Sequence, residues 1–147
     1  MTRVLVINGP NLNLLGTREP EIYGHTTLAE IEQGLKARGV ELGLEVECFQ
    51  SNHEGAIIDR LQQRDFHWAI VNAAGLTHTS VSLRDTLKAI DRPFVEVHIS
   101  DPDEREEFRR VNFLRDIAAE RIVGKGAAGY AMALGFIATR IAHGTAR

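Results

Sequence analysis

Cysteine and lysine are scarce in this 147-residue chain, and long apolar or basic runs are missing. The single cysteine, Cys48, excludes an internal disulfide and fits a reducing cytoplasm. It sits in the strand-like run Glu45-Val46-Glu47-Cys48-Phe49, where a thiol more often packs than attacks. Amines are confined to Lys36, Lys88 and Lys125. Lys88 falls inside a helical pattern, so an imine-forming lysine has no strong candidate. The longest apolar runs are strand-sized and leave nothing to span a bilayer. A strand begins close to Met1, which leaves no room for a signal peptide. With 17 basic against 20 acidic residues and a net charge of −3, neither nucleic acid nor a membrane surface is an expected partner. The histidines at 25, 53, 67, 78, 98 and 143 show no H-x-x-x-H or H-E-x-x-H spacing, so no metal site is expected.

What remains is ordinary globular material, 44% hydrophobic and 25% charged. The length predicts one domain over residues 1–147 with a real core. β-rich runs at 4–8, 44–50, 68–72, 94–100 and 121–123 alternate with helical patterns. Thr27-x-x-Glu30 and Ser51-x-x-Glu54 read as capping boxes ahead of Leu28, Ile31, Leu35 and of Ile57, Ile58, Leu61. Leu83, Leu87 and Ile90 stripe a third helix that stops at Asp91-Arg92-Pro93. Asp101-Pro102 predicts a short charged helix, and Tyr130, Leu134, Ile137 and Ile141 stripe the last. Strands alternating with helices predict an α/β, doubly wound parallel sheet. The flavodoxin-like strand order 2-1-3-4-5, with helices on both faces, follows as the default. Its ligand would sit beyond the carboxyl ends of strands 1 and 3.

Asn8-Gly-Pro-Asn-Leu-Asn-Leu-Leu-Gly-Thr-Arg-Glu-Pro-Glu-Ile-Tyr-Gly24 follows strand 1. A connection this long is unusual unless it is functional. We expect an active-site loop and lid at about 9–25. The same topology gathers Asn8 and Asn11, the stretch 50–54, the stretch 72–78 and Glu96-Val97-His98-Ile99-Ser100 on one rim.

Within that rim, Glu96 and His98 are two apart and share a strand face. Such a pair is either a satisfied buried ion pair or an imidazole held for acid or base work. His78 is either a solvated loop residue or a ligand in the small-residue turn Asn72-Ala73-Ala74-Gly75. Arg105 and Arg109 would share a helical face, solvated or with one of them reaching the pocket. Arg18 and Tyr23 read as surface packing or as a base beside a guanidinium that favours its phenolate. Gly124-Lys125-Gly126-Ala127-Ala128-Gly129 matches G-x-G-x-x-G. It lacks the further strand and acidic residue that a dinucleotide fingerprint needs, so it predicts a tight turn with close helix–sheet packing.

Taken together, the segments 8–24, 50–55, 72–81, 83–85, 96–100, 105–109 and 124–130 closely resemble the type II 3-dehydroquinate dehydratase family, also called type II dehydroquinases. The resemblance implies a hydro-lyase that converts 3-dehydroquinate to 3-dehydroshikimate through an enolate, without metal, cofactor or imine. It serves the shikimate pathway or quinate breakdown. Tyr23 matches the family's base, with Arg18 as its activating cation, and Asn11 the residue holding an enolate-stabilising water. His98 matches the general acid, oriented by Glu96. Asn72 and the backbone amides of Ile99 and Ser100 match the substrate carboxylate site. His78 and Arg109 match ring-hydroxyl ligands. Asp85 matches a residue lent by a neighbouring subunit, which fits the family's trimers and their dodecamers.

One stretch departs from the family pattern. After Arg109 the family usually runs through a histidine- or serine-rich segment into a small, glycine-containing lead to strand 5. Here residues 110–121 read Arg-Val-Asn-Phe-Leu-Arg-Asp-Ile-Ala-Ala-Glu-Arg. The competing reading of the whole chain is a non-catalytic flavodoxin-like ligand-binding module.

Overall fold

A computed structural model of the chain describes residues 1–17 and 19–144. Among them, β1 (Thr2–Asn8), β2 (Leu44–Gln50), β3 (Trp68–Asn72), β4 (Phe94–His98) and β5 (Glu120–Val123) form one sheet. All four pairings are parallel and the order is β2-β1-β3-β4-β5, the flavodoxin-like arrangement. The helices are α1 (Pro20–Tyr23), α2 (Leu28–Leu42), α3 (Glu54–Gln62), α4 (Val81–Ile90) and α5 (Ala128–Ala142). No helix of the described residues is long and apolar enough to cross a membrane.

Both faces of the sheet are covered, and β1 shows why its sequence is nearly all apolar. Val4 and Val6 pack with Ile70, Val95 and Val97 against residues of α2 and α5. Leu5 and Ile7 turn the other way, with Val71, towards Ile57 and Leu61 of α3 and Leu83 and Leu87 of α4. Each such buried aliphatic side chain contributes roughly 1.5–3 kcal/mol of transfer free energy.

Local signals decide the helix starts unevenly. The first capping box forms as read: Thr27 accepts from the Glu30 amide at 3.2 Å while Glu30 accepts from the Thr27 amide at 2.9 Å. The second does not. Ser51 Oγ accepts instead from the His53 amide, and the Glu54 carboxylate accepts from Ser80 Oγ, the N-cap of α4. The helix starts later than read: His53 is the N-cap of α3, so Ser51 lies before the cap and Glu54 opens the first turn. Strand 4 ends at His98 rather than at 100. The expected charged helix after Asp101 is instead two 3-10 turns, Pro102–Glu104 and Glu107–Arg110, interrupted at Arg105 and extended Glu106. The glycine cluster at 124–129 behaves as a turn: Gly124 and Gly126 hold φ of 71° and 61°, whereas a Cβ at Gly129 would meet Ile122 and Val97 at an ordinary 3.5 Å, so the packing of α5 does not require glycine there.

Candidate active site

Register brings the functional residues together. Asn8 pairs with both Gln50 and Asn72, Val71 with Glu96, and His98 with Val123, so the ends of all five strands share one rim. Just beyond, the Gly9 amide donates to the Asn72 carbonyl at 2.8 Å. A Cβ at Gly9 would lie 2.4 Å from the Ala73 carbonyl oxygen, so only glycine lets these two loops close up. Between them opens a cleft. It lies at the switch point of the sheet, where open α/β folds bind ligands.

The expected residues converge there to a large extent. Asn11, Tyr23, Asn72, His78, His98, Ile99, Ser100 and Arg109 all line the cleft. Glu96 stands behind His98, wholly buried. Asp85 is exposed on α4 and does not line the cleft of its own chain. Arg18 lies outside the described residues. Among the described residues no lysine lines the cleft, and no group of three or more His, Cys, Asp or Glu gathers that would hold a metal ion.

The two tyrosines of the chain occupy opposite environments. Tyr23 comes from α1 into the cleft, where Arg105 Nη1 donates to its hydroxyl at 2.9 Å. The same guanidinium lies 5.4 Å from the Tyr23 ring centroid and reaches Ser100 Oγ at 3.4 Å. The phenolic oxygen thus accepts a charge-assisted hydrogen bond. Tyr130 is wholly buried on α5, and burial raises its hydroxyl far above the ordinary tyrosine range, against the pull of the Asn72 hydrogen bond. It therefore stays protonated and works as a relay. Asn72 Nδ2 donates to Tyr130 Oη at 2.9 Å, and Tyr130 Oη donates to Asn8 Oδ1 at 2.6 Å. With Asn72 Oδ1 accepting from the Ala74 amide at 3.2 Å, the orientation of the Asn72 amide is set. One Nδ2 hydrogen remains for the cleft.

On the β4 side, Glu96 Oε2 meets His98 Nε2 at 2.5 Å. Burial alone would raise the Glu96 carboxyl. The His98 hydrogen bond and charge, the Asn112 amide and the Arg121 guanidinium override it and hold the group below the usual carboxylate range. His98 Nδ1 is the ring nitrogen left for the cleft. Beside it, His78 stacks with ring centroids 6.5 Å apart. Burial, then the charges of His98 and Arg109, push His78 below its ordinary range despite its bond to Val111. The Val111 carbonyl, 2.6 Å from His78 Nδ1, can only accept, so Nδ1 carries the hydrogen and Nε2 is an acceptor. Arg109 is held by Glu106 at 2.6 Å.

Sequence reasoning left open whether Arg105 or Arg109 reaches the pocket; both do, Arg105 from the link between the two 3-10 turns and Arg109 from the second turn. It placed Tyr130 only in a core stripe, whereas its hydroxyl organises Asn72. It missed the contacts of Asn112 and Arg121 with Glu96. The one available signal was the sheet itself, since β5 runs beside β4 and must place some residue against Glu96.

Proton transfer is the chemistry that these groups equip the cleft for, and they define the class as a flavodoxin-like acid/base enzyme. The family described as Dehydroquinase class II matches residues 2–138, and the chain belongs to it. It is 53% identical over 135 residues to the Catabolic 3-dehydroquinase 1 of Fusarium vanettenii, covering 90% of this chain and 94% of that protein. It is also 53% identical over 131 residues to the 3-dehydroquinate dehydratase of Francisella tularensis subsp. novicida, covering 89% and 90%. The crystal structure of the type II dehydroquinase from Butyrivibrio crossotus superimposes with a TM-score of 0.89 at 41% identity, covering 92% of this chain and 96% of that one.

Proposed function

We propose that this chain is a hydro-lyase that converts 3-dehydroquinate to 3-dehydroshikimate by anti elimination through an enolate. The observation that carries the reading is one cleft served by two differently supported groups. Tyr23 lies under the Arg105 guanidinium, and His98 is backed by buried Glu96. Family membership and the relatives' names support the same substrate.

In this reading the Tyr23 phenolate removes a C2 proton beside the C3 ketone. The electron pair moves onto the ketone oxygen, where a water held by Asn11 stabilises the enolate. Collapse of the enolate expels the C1 hydroxyl, which takes a proton from His98 and leaves as water. Glu96 keeps the His98 tautomer fixed and compensates the imidazolium. The substrate carboxylate sits against the free Asn72 Nδ2 hydrogen and the backbone amides of Ile99 and Ser100. His78 Nε2 accepts from a ring hydroxyl and Arg109 donates to another. Arg18 keeps the part of activating cation that the family resemblance gives it. The chain acts as a single catalytic domain whose loop at about 9–25 closes over substrate and excludes water. Asp85 serves the site of a neighbouring subunit in a cytoplasmic homo-oligomer, a dodecamer built from trimers. Its exposure and its place outside its own cleft fit that role.

The test is direct. Metal-stripped protein mixed with 3-dehydroquinate is expected to raise the ultraviolet absorbance of the conjugated enone, with or without a chelator. No rise from folded, assembled protein would overturn the reading and favour a binding role.

A further inference from the structure

Glu96 has no exposed surface, yet it sits among groups that keep it charged. A buried carboxylate must be compensated on both oxygens. Oε2 is shared: His98 Nε2 approaches it at 2.5 Å and Asn112 Nδ2 donates to it at 2.7 Å. Asn112 is itself locked, because its Oδ1 accepts from the amides of Leu114 at 2.7 Å and Arg115 at 2.9 Å. Its Nδ2 must therefore face the carboxylate. Oε1 has no hydrogen bond among the described residues, and neither has Arg121 Nε. The two face each other at 3.5 Å, a charge contact. This contact follows from register. Glu96 and Arg121 are paired across β4 and β5, so their side chains leave the sheet on the same face.

Neither Asn112 nor Arg121 lines the cleft, and both lie in the stretch 110–121 that departs from the family pattern. We propose that Asn112 and Arg121 are positioning residues for the His98–Glu96 pair, fixing the carboxylate behind the imidazole and setting how firmly the pair keeps its proton. The inference rests on the reading of His98 as general acid. A carboxylate paired with imidazole alone, here at Nε2, stabilises the imidazolium and so holds back the Nδ1 proton that the acid must release. A guanidinium on the other carboxylate oxygen takes up part of that negative charge, while the Asn112 amide holds the geometry.

The charged groups around the pair are few. His78 stacks on His98, with Arg109 close enough for its charge to reach His78. Arg121 faces Glu96, and Asp103 stands behind Arg121 at 3.8 Å, bridged in turn to Arg115 at 3.3 Å.

The experiment is the pH profile of kcat and KM with 3-dehydroquinate for wild type, Arg121→Gln, Arg121→Lys and Asn112→Asp, each checked for fold by its melting transition. Removing the guanidinium charge raises the proton affinity of the coupled pair, so the limb that it carries moves to higher pH by about one unit. KM stays within about twofold, since neither residue touches substrate. Arg121→Lys keeps the charge and restores the wild-type limb. Asn112→Asp, which sets a second carboxylate against Glu96, moves the limb the same way as Arg121→Gln. A profile for Arg121→Gln superimposable on wild type overturns the proposal, as does an equal shift in Arg121→Lys. If Arg121→Gln does not fold, an unmoved limb in Asn112→Asp overturns it. Wild-type protein with no turnover would sink the parent reading, whereas an active wild type with unmoved limbs sinks only this inference.

Discussion

Replacing Arg105 with glutamine removes two supports of Tyr23 at once: the donor 2.9 Å from its hydroxyl and the cation 5.4 Å from its ring centroid. A hydrogen bond from a charged group is worth about 1.5–3 kcal/mol net, and a partly exposed cation–π contact adds about 0.5–1 kcal/mol. Realised on the phenolate, a loss of about 2–4 kcal/mol lowers the rate by roughly 30- to 700-fold at neutral pH, at 1.4 kcal/mol per decade. The weaker contact of Arg105 with Ser100 Oγ, at 3.4 Å, contributes less. The assay is initial-rate formation of the enone from 3-dehydroquinate between pH 6 and pH 10. Rising pH populates the phenolate without the guanidinium's stabilisation, so the deficit is expected to shrink as pH rises. Arg105→Lys keeps the charge but not the planar fork, and falls between the two. A deficit of constant size across the whole range would refute the argument, because it would show Arg105 acting on substrate rather than on the base.

Tyr23→Phe is expected to reduce turnover almost to nothing while calorimetry still detects substrate binding; an active variant would remove Tyr23 as base. Tyr130→Phe strands the Asn72 amide and the Asn8 carbonyl in the interior, at about 1–3 kcal/mol for each group left unpaired. A lower denaturant midpoint and a higher KM are expected, and an unchanged pair of values would refute the relay. For His78, the folded state binds its proton more weakly than the unfolded chain, whose ordinary value is 6.5. Its contribution to stability is therefore complete above that pH and is lost as the pH falls below it. The melting temperature of His78→Asn is expected to fall less than that of wild type between pH 7.5 and pH 5.5. Parallel curves would show that His78 titrates alike in both states.

The parts legible in the sequence were those that short-range physics decides. Strands 44–50 and 68–72 stand where apolar, β-branched runs put them, and the Thr27–Glu30 box opens α2 because both of its partners lie within one turn. Alternation of strand and helix led to a parallel sheet, and a parallel sheet to a rim where Asn8, Asn72 and His98 meet. Glu96 and His98 could be paired on paper, since alternate residues of one strand share a face. The Ser51–Glu54 box shows where that logic stops: its carboxylate bonds to Ser80, 26 positions away. The same holds for Arg105 on Tyr23, 82 positions apart, and for Tyr130 bridging to Asn8, 122 apart. No periodicity encodes such contacts, because they depend on how loops and neighbouring strands are set against each other once the core has closed. Sequence by itself determined the layers, the rim and most of the chemistry placed on it. Tertiary structure alone decided which arginine holds the phenol, which tyrosine is a buried relay, and that Asn112 and Arg121 meet the carboxylate behind the acid. Burial supplies the physical reason: a charge or hydroxyl removed from water must find a partner in space, wherever that partner lies along the chain.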